Sequence, residues 1–430
     1  MKKIKVTLLD IIKLILLLIF LLVLYIGLII ITNGYWGGKL AGGISLLVSA
    51  AMLNYMGRIA SISKFRRYSS IAITLAFLTF VIYTVIPVAN IKNLQPLKTA
   101  KPYGEKFWGL KTGSKIAYYK LEASDKSLKK STPIIFLCGG PGAFVRKIDL
   151  AFFESFTAEG YDVYLYDQAG SGRSGLLPKT EYSHERNIKD FEAIMDIIGS
   201  PKYVLIGQSY GGSLLASIAG EKRLASRISK AIYAEPGIIV KPQAKEMLSK
   251  SNFAGKQETA SMPLRLFIGL IVNPRGNFSS QIETINFFIE NPNQTQLLYA
   301  NAYPEKDSLL IPNLETGRIN FAANRIIVEG IESYNQGLQK RLALTKIPSM
   351  LLLGESSYVD RNAPMDLLRI NPYIERTHYF KNNGHLLWNG LHGNNQLVKK
   401  AIDDFLDAKI SRLPNYPTKA DIGQFLTQQK

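Results

Sequence analysis

Hydrophobic and polar positions divide the chain into two regimes. Residues 1–90 carry long apolar stretches. Residues 11–31 are almost wholly apolar, broken only by Lys13, and about 20 such residues span a hydrocarbon core. A cleaved signal peptide is the rival reading, but the apolar region is too long and no small-residue cleavage site follows. Residues 40–56 are apolar with Ala41, Gly42, Gly43, Ala50 and Ala51, which suits close helix packing. Residues 71–88 are apolar apart from Thr and Tyr. About three transmembrane helices are therefore expected, over 11–31, 40–56 and 71–88. The second is the weakest, being short and holding Asn54.

Charge orients these spans. Lys2, Lys3 and Lys5 precede the first, and Arg58, Lys64, Arg66 and Arg67 lie between the second and third. Basic residues favour the cytoplasmic side. The expectation is a multi-pass protein of the cell membrane, with everything after about residue 90 extracytoplasmic. Without the second span, that remainder faces inward.

A linker rich in Lys and Pro covers 91–102. Beyond it the pattern changes to short apolar runs alternating with helical stretches. The runs fall at 115–121, 133–137, 161–166, 203–206, 231–234, 350–353 and 376–380. Most are brief and wholly apolar, as strands buried on both faces should be. The pattern predicts an α/β fold with an open, mostly parallel sheet, helices on both faces, and ligands at the carboxyl ends of strands. Residues 237–344 break the rhythm with amphipathic helical stretches and no clear strand. They are expected to form a helical cap, dividing the core into 103–236 and 345–410, with a C-terminal tail at 411–430.

Composition narrows the functional classes. The 430 residues are 47% hydrophobic, with a formal charge of +19. The basic residues are spread along the chain and no nucleic-acid-binding motif accompanies them, so solvated lysines on an envelope protein are the simpler account. Cys138 is the one cysteine, so no intramolecular disulfide can form. No Cys/His cluster has zinc-site spacing. His184, His378, His385 and His392 are isolated from one another.

Gly207-Gln208-Ser209-Tyr210-Gly211-Gly212 follows one apolar run and precedes a helical stretch at 213–219. This is G-x-S-x-G in its strand–turn–helix context, which lifts a serine Oγ above the sheet. The Tyr210 N–H, at a helix start, is placed to donate to an oxyanion. Cys138-Gly139-Gly140-Pro141-Gly142 follows another run, and Gly140 is the candidate for the second donor. Pro141 has no N–H and stiffens the loop. Asp167-Gln168-Ala169-Gly170-Ser171-Gly172-Arg173-Ser174 follows a third run and reads as a supporting turn.

These three motifs, in this order and spacing, resemble the α/β-hydrolase superfamily. Within it, G-G-P-G followed by D-Q-x-G-S-G-x-S looks like the proline iminopeptidase group of serine peptidases, over roughly residues 103–410. Cys138, Ala169 and Tyr210 depart from that group, which usually has His, Arg and Trp there. The resemblance implies Ser209 as nucleophile and His385, in Asn382-Asn383-Gly384-His385, as base. For the acid it implies a position after the seventh strand, where Ser357 stands and Asp360 comes three residues late. Some superfamily members place the acid after the sixth strand, where Glu235 ends an apolar run. Glu235 is the favoured acid, Asp360 the alternative, and Glu355 a weaker one.

The implied function is a membrane-anchored serine hydrolase working through an acyl-enzyme, most like an iminopeptidase-type aminopeptidase on short peptides. One alternative is an esterase, lipase or thioesterase on acyl substrates from the bilayer. A second is a non-catalytic membrane sensor on a hydrolase fold. Ser209 at the elbow excludes dehalogenase and epoxide hydrolase chemistry, which needs Asp there. The expected partners are a small-molecule, short-peptide or acyl substrate and the lipid bilayer, with no nucleic acid, metal or cofactor.

Overall fold

The computed structural model describes residues 16, 19–28, 34–59, 63–80, 94, 106–239, 262–263, 266–267, 269–270, 274–276, 279–291, 317–357, 362–389 and 394–416. The chain separates into two compact units, residues 1–94 with 261–284 and residues 95–260 with 285–430.

In the first unit, helices cover Gly34–Ile59 and Lys64–Phe80. The expected span at 40–56 lies inside the former. The span at 71–88 begins in the latter and continues beyond the described residues. Of the span at 11–31, Leu16 and residues 19–28 are described, all helical. Among the described residues no helix is long and apolar enough to cross a membrane. Lys64–Phe80 has 17 residues and opens on Lys64, Arg66 and Arg67. Glycines, serines and Asn54 dilute the apolar run of Gly34–Ile59. The interior of this unit is mixed, with Leu21, Tyr25, Ala41 and Leu78 buried alongside small polar side chains, and large apolar side chains also lie outside. Ser45, Ser49 and Thr74 are buried, while Leu47, Ile73 and Leu16 are 72%, 71% and 60% exposed.

The second unit is built on an eight-stranded sheet: β1 Lys106–Gly109, β2 Lys115–Leu121, β3 Ile134–Leu137, β4 Val163–Tyr166, β5 Tyr203–Gln208, β6 Ile228–Ala234, β7 Ser349–Ser356 and β8 Ile374–Gly384. The strand order is β1-β2-β4-β3-β5-β6-β7-β8. β1 and β2 are antiparallel to their neighbours, and β3 to β8 run parallel. The mostly parallel α/β sheet is as expected from the pattern of apolar runs. β1 is an addition to it: four residues at an edge, with only Trp108 buried, leave too little periodicity to read.

The runs are continuous because the sheet buries both faces. Ile135, Leu137, Leu205, Ala231, Tyr233, Leu351 and Leu353 enter one core. Their chain neighbours Ile134, Phe136, Val204, Ile206, Ile232, Ala234, Met350 and Leu352 enter the other. The first core receives helices His184–Ile198 and Tyr210–Ala219, together with Phe321–Tyr334 from the region read as a cap. The second receives Lys147–Glu154 and Asn394–Leu406. There Phe136, Phe153 and Trp388 pack edge-on and tilted, and the Trp388 indole donates to Asp149 at 2.8 Å. Large parts of 237–344 lie outside the described residues.

Candidate active site

The carboxyl ends of β5, β6 and β8 bring three of the singled-out residues to one edge of the sheet. Ser209 follows β5 directly and caps helix Tyr210–Ala219, with φ 56° and ψ −123°. A non-glycine residue there costs roughly 1–3 kcal/mol and persists only when its surroundings hold it. The hold is visible. Ser209 N–H donates to Ala234 O at 3.0 Å, and Ser209 O accepts from the N–H groups of Gly212 and Gly237 at 2.8 and 2.9 Å. Gly211 is required by close approach: a Cβ there would collide with the Leu137 carbonyl. This crowding is what the glycines of G-x-S-x-G predict.

Glu235, the residue after β6, is the second strained position, with φ 49°. Its carboxylate is buried. One oxygen, Oε1, accepts from the Gly354 N–H of β7. The other, Oε2, lies 3.7 Å from His385 Nδ1. A buried carboxylate at a strand end requires such partners. His385 follows β8 and is itself buried. Its Nδ1 is also 3.2 Å from Ser357 Oγ. Gln208, beside Ser209, donates from its side chain to His385 O at 3.2 Å, tying the elbow to the histidine turn. The structure therefore gathers Glu235, Ser357 and His385, with Ser357 at the position where an acid after β7 is usual. Asp360 and His392 lie outside the described residues, as does the side chain of Glu355. His378 is inside β8, with Nδ1 2.8 Å from Pro414 O.

The glycine turn after β3 reaches the same place. A Cβ on Gly139 would stand 3.1 Å from Ser209 Cβ and 2.7 Å from Gln208 Oε1. Gly139 is thus the glycine pressed against Ser209, and Gly140, one residue on, has φ 117°. Gln168 staples this turn. Its amide donates to Cys138 O and Gly139 O, each at 2.9 Å, and its carbonyl oxygen accepts from Gly142 N–H at 2.9 Å. Asp167 accepts from the N–H groups of Val145 and Arg173 at 2.8 and 2.9 Å. The D-Q-x-G-S-G turn is thus the support that the sequence indicates. Helix Phe321–Tyr334 adds to it: Asn320 N–H donates to Gly142 O at 2.9 Å and the Asn324 side chain to Pro141 O at 2.9 Å.

Cys138 is buried, and burial pushes its thiol far up from the usual range. His184 is one of the four histidines isolated in the sequence. It is fully buried, with Nδ1 3.0 Å from the Tyr210 hydroxyl and Nε2 2.8 Å from Ser217 Oγ. Burial lowers its pKa to about 4. The signal that could have found it is helical spacing: His184, Asn187, Ile188, Phe191, Ile194 and Met195 form one buried face. Among the described residues, no group of three His, Cys, Asp or Glu is arranged to hold a metal.

The α/β hydrolase fold family model matches residues 132–387. That is more than half of the chain, which belongs to this family. Among characterised relatives, a proline iminopeptidase of Thermoplasma volcanium is 32% identical over 103 residues, covering 24% of this chain and 33% of that protein. The quorum-quenching protein AidA of Acinetobacter baumannii is 33% identical over 107 residues, covering 23% and 35%. The match thus spans about a third of the length of these relatives. Among solved structures, the proline iminopeptidase of Mycobacterium smegmatis superposes with TM-score 0.46 at 17% identity, covering 71% of this chain and all (100%) of that one. An esterase of Exiguobacterium antarcticum gives 0.49 at 16%, covering 70% and 98%. The resemblance to proline iminopeptidases that the motifs carry is borne out, and the chain has the α/β-hydrolase fold.

Proposed function

We propose that this protein is a serine hydrolase working through an acyl-enzyme, most like a proline iminopeptidase-type aminopeptidase. The observation that carries the reading is Ser209 in a strained elbow, at the strand edge where Glu235 and Ser357 flank His385 Nδ1. In this reading Ser209 Oγ attacks the substrate carbonyl and its proton passes to His385 Nε2. Glu235 stabilises the imidazolium, and Ser357 helps fix the ring. The oxyanion takes hydrogen bonds from Tyr210 N–H and from the Gly139–Gly140 turn, Gly140 being the donor read from the sequence. His385 returns the proton to the leaving group, and water then releases the acyl group by the same steps. The relatives named proline iminopeptidase support the peptidase choice.

We also propose that residues 1–90 hold the enzyme in the cell membrane, with the catalytic unit extracytoplasmic. The exposed Leu and Ile side chains of the first unit support this, with small polar side chains sharing its interior with Leu21 and Leu78, as in helices packed within lipid. The same feature favours the second reading, an esterase, lipase or thioesterase drawing acyl substrates from the bilayer. A panel of prolyl amides against short- and long-chain acyl esters, hydrolysed by the full-length protein in detergent, separates the two. Turnover of prolyl amides supports the peptidase. Turnover of esters alone overturns it.

A further inference from the structure

Helix His184–Ile198 carries a buried polar network that the catalytic reading leaves unused. Asn187, His184, Tyr210, Ser217 and Asn335 are all buried. The Asn187 amide donates to the Tyr210 hydroxyl oxygen at 2.8 Å. The Tyr210 hydroxyl and His184 Nδ1 are 3.0 Å apart. His184 Nε2 and Ser217 Oγ are 2.8 Å apart. Ser217 Oγ donates to Asn335 Oδ1 at 2.8 Å, and the Asn335 amide donates to Ile239 O at 2.6 Å.

One proton arrangement satisfies all five groups. Asn187 can only donate to the tyrosine oxygen, which leaves the Tyr210 proton for His184 Nδ1. Nε2 then carries the ring proton and donates to Ser217, whose own proton goes to Asn335 Oδ1 at 2.8 Å, the nearer of its two acceptors, Ser213 O being 3.1 Å away. The imidazole must be neutral for this chain to run, and a half-satisfied buried chain is costly.

The ends of the chain are informative. Ile239 and Asn335 lie near the two ends of the segment between β6 and β7. Tyr210 follows Ser209 directly, at the first position of its helix, where a backbone N–H has no partner within the helix. We propose that His184 is a positioning residue, transmitting the placement of both ends of the segment between β6 and β7 to the turn that carries the Tyr210 N–H. The proposal rests on the serine-hydrolase reading, with Tyr210 N–H as an oxyanion donor.

Ser217→Ala and Tyr210→Phe break the chain on opposite sides of the imidazole without touching each other's bonds. The test is a double-mutant cycle on the full-length protein in detergent, using a p-nitrophenyl ester and a boronic acid inhibitor. Each single variant lowers kcat about tenfold, a fraction of the loss from deleting an oxyanion donor outright, with KM within about twofold. Boronate affinity falls in step with kcat, because both read oxyanion stabilisation. The double variant loses no more than the worse single one. His184→Gln, keeping one donor toward Ser217, retains more activity than His184→Leu. Additive losses, or a loss confined to KM or to melting temperature, overturn the proposal. If the unaltered protein is not labelled at Ser209 by a fluorophosphonate, the failure lies instead with the serine-hydrolase reading.

Discussion

Glu235 Oε2 lies 3.7 Å from His385 Nδ1, although one residue follows β6 and the other follows β8. The gap is longer than a hydrogen bond, and Ser357 Oγ approaches the same nitrogen more closely, at 3.2 Å. The charge and the nearest hydroxyl therefore come from different strands. Glu235→Gln removes the charge that stabilises the imidazolium and is expected to lower kcat by about a thousandfold. Ser357→Ala removes a neutral hydrogen bond and should cost about tenfold. Steady-state hydrolysis by the two variants and by Asp360→Asn gives the order. A larger loss in Asp360→Asn moves the acid to the loop after β7.

Gln168 makes three hydrogen bonds to the glycine turn beside Ser209. Gln168→Ala leaves two buried carbonyls and one N–H without that partner, at about 1–3 kcal/mol for each group that stays unsatisfied. Lower melting temperature together with slower fluorophosphonate labelling is expected. Unchanged labelling would show that the turn keeps its shape without the staple.

Acid should weaken the fold through His184. Its folded pKa, about 4, is depressed by burial below the ordinary 6.5. The unfolded chain therefore binds the proton more readily between those values. The stability this group contributes is full above about pH 6.5 and is lost as pH falls toward 4, reaching about 3 kcal/mol. His378 is buried and depressed in the same direction. Melting temperatures across pH 4 to 7 measure the effect, and His184→Leu should flatten the profile. An unaltered slope in that variant would assign the acid sensitivity elsewhere.

The site was legible where local chemistry leaves a local trace. Gly207, Ser209 and Gly211 mark a backbone crowded from both sides, and the apolar runs mark strands buried on two faces. Glu235 was legible because a carboxylate at the end of an apolar run needs a reason. Helical spacing marks His184 as a buried position, but its role is not legible, because its partners Tyr210 and Ser217 lie 26 and 33 residues away in sequence and only the fold joins them. β1 was too short and too exposed to show a period. The approach of Gly139, rather than Gly140, to Ser209 depends on how the turn curls, which its residue types leave open.

The first unit yields its own prediction. If the outward-facing Leu47, Ile73 and Leu16 meet lipid, the full-length protein stays in the membrane pellet through alkaline carbonate extraction. Recovery in the supernatant would mean that those side chains are covered by something else.

The central claim is that Ser209 is the nucleophile. A fluorophosphonate probe reacts with an activated serine and leaves a covalent adduct that mass spectrometry can place on one residue. Labelling at Ser209, abolished in Ser209→Ala and slowed in both Glu235→Gln and a His385→Ala variant, is the predicted result. Labelling that persists in Ser209→Ala, or an adduct on another residue, contradicts it.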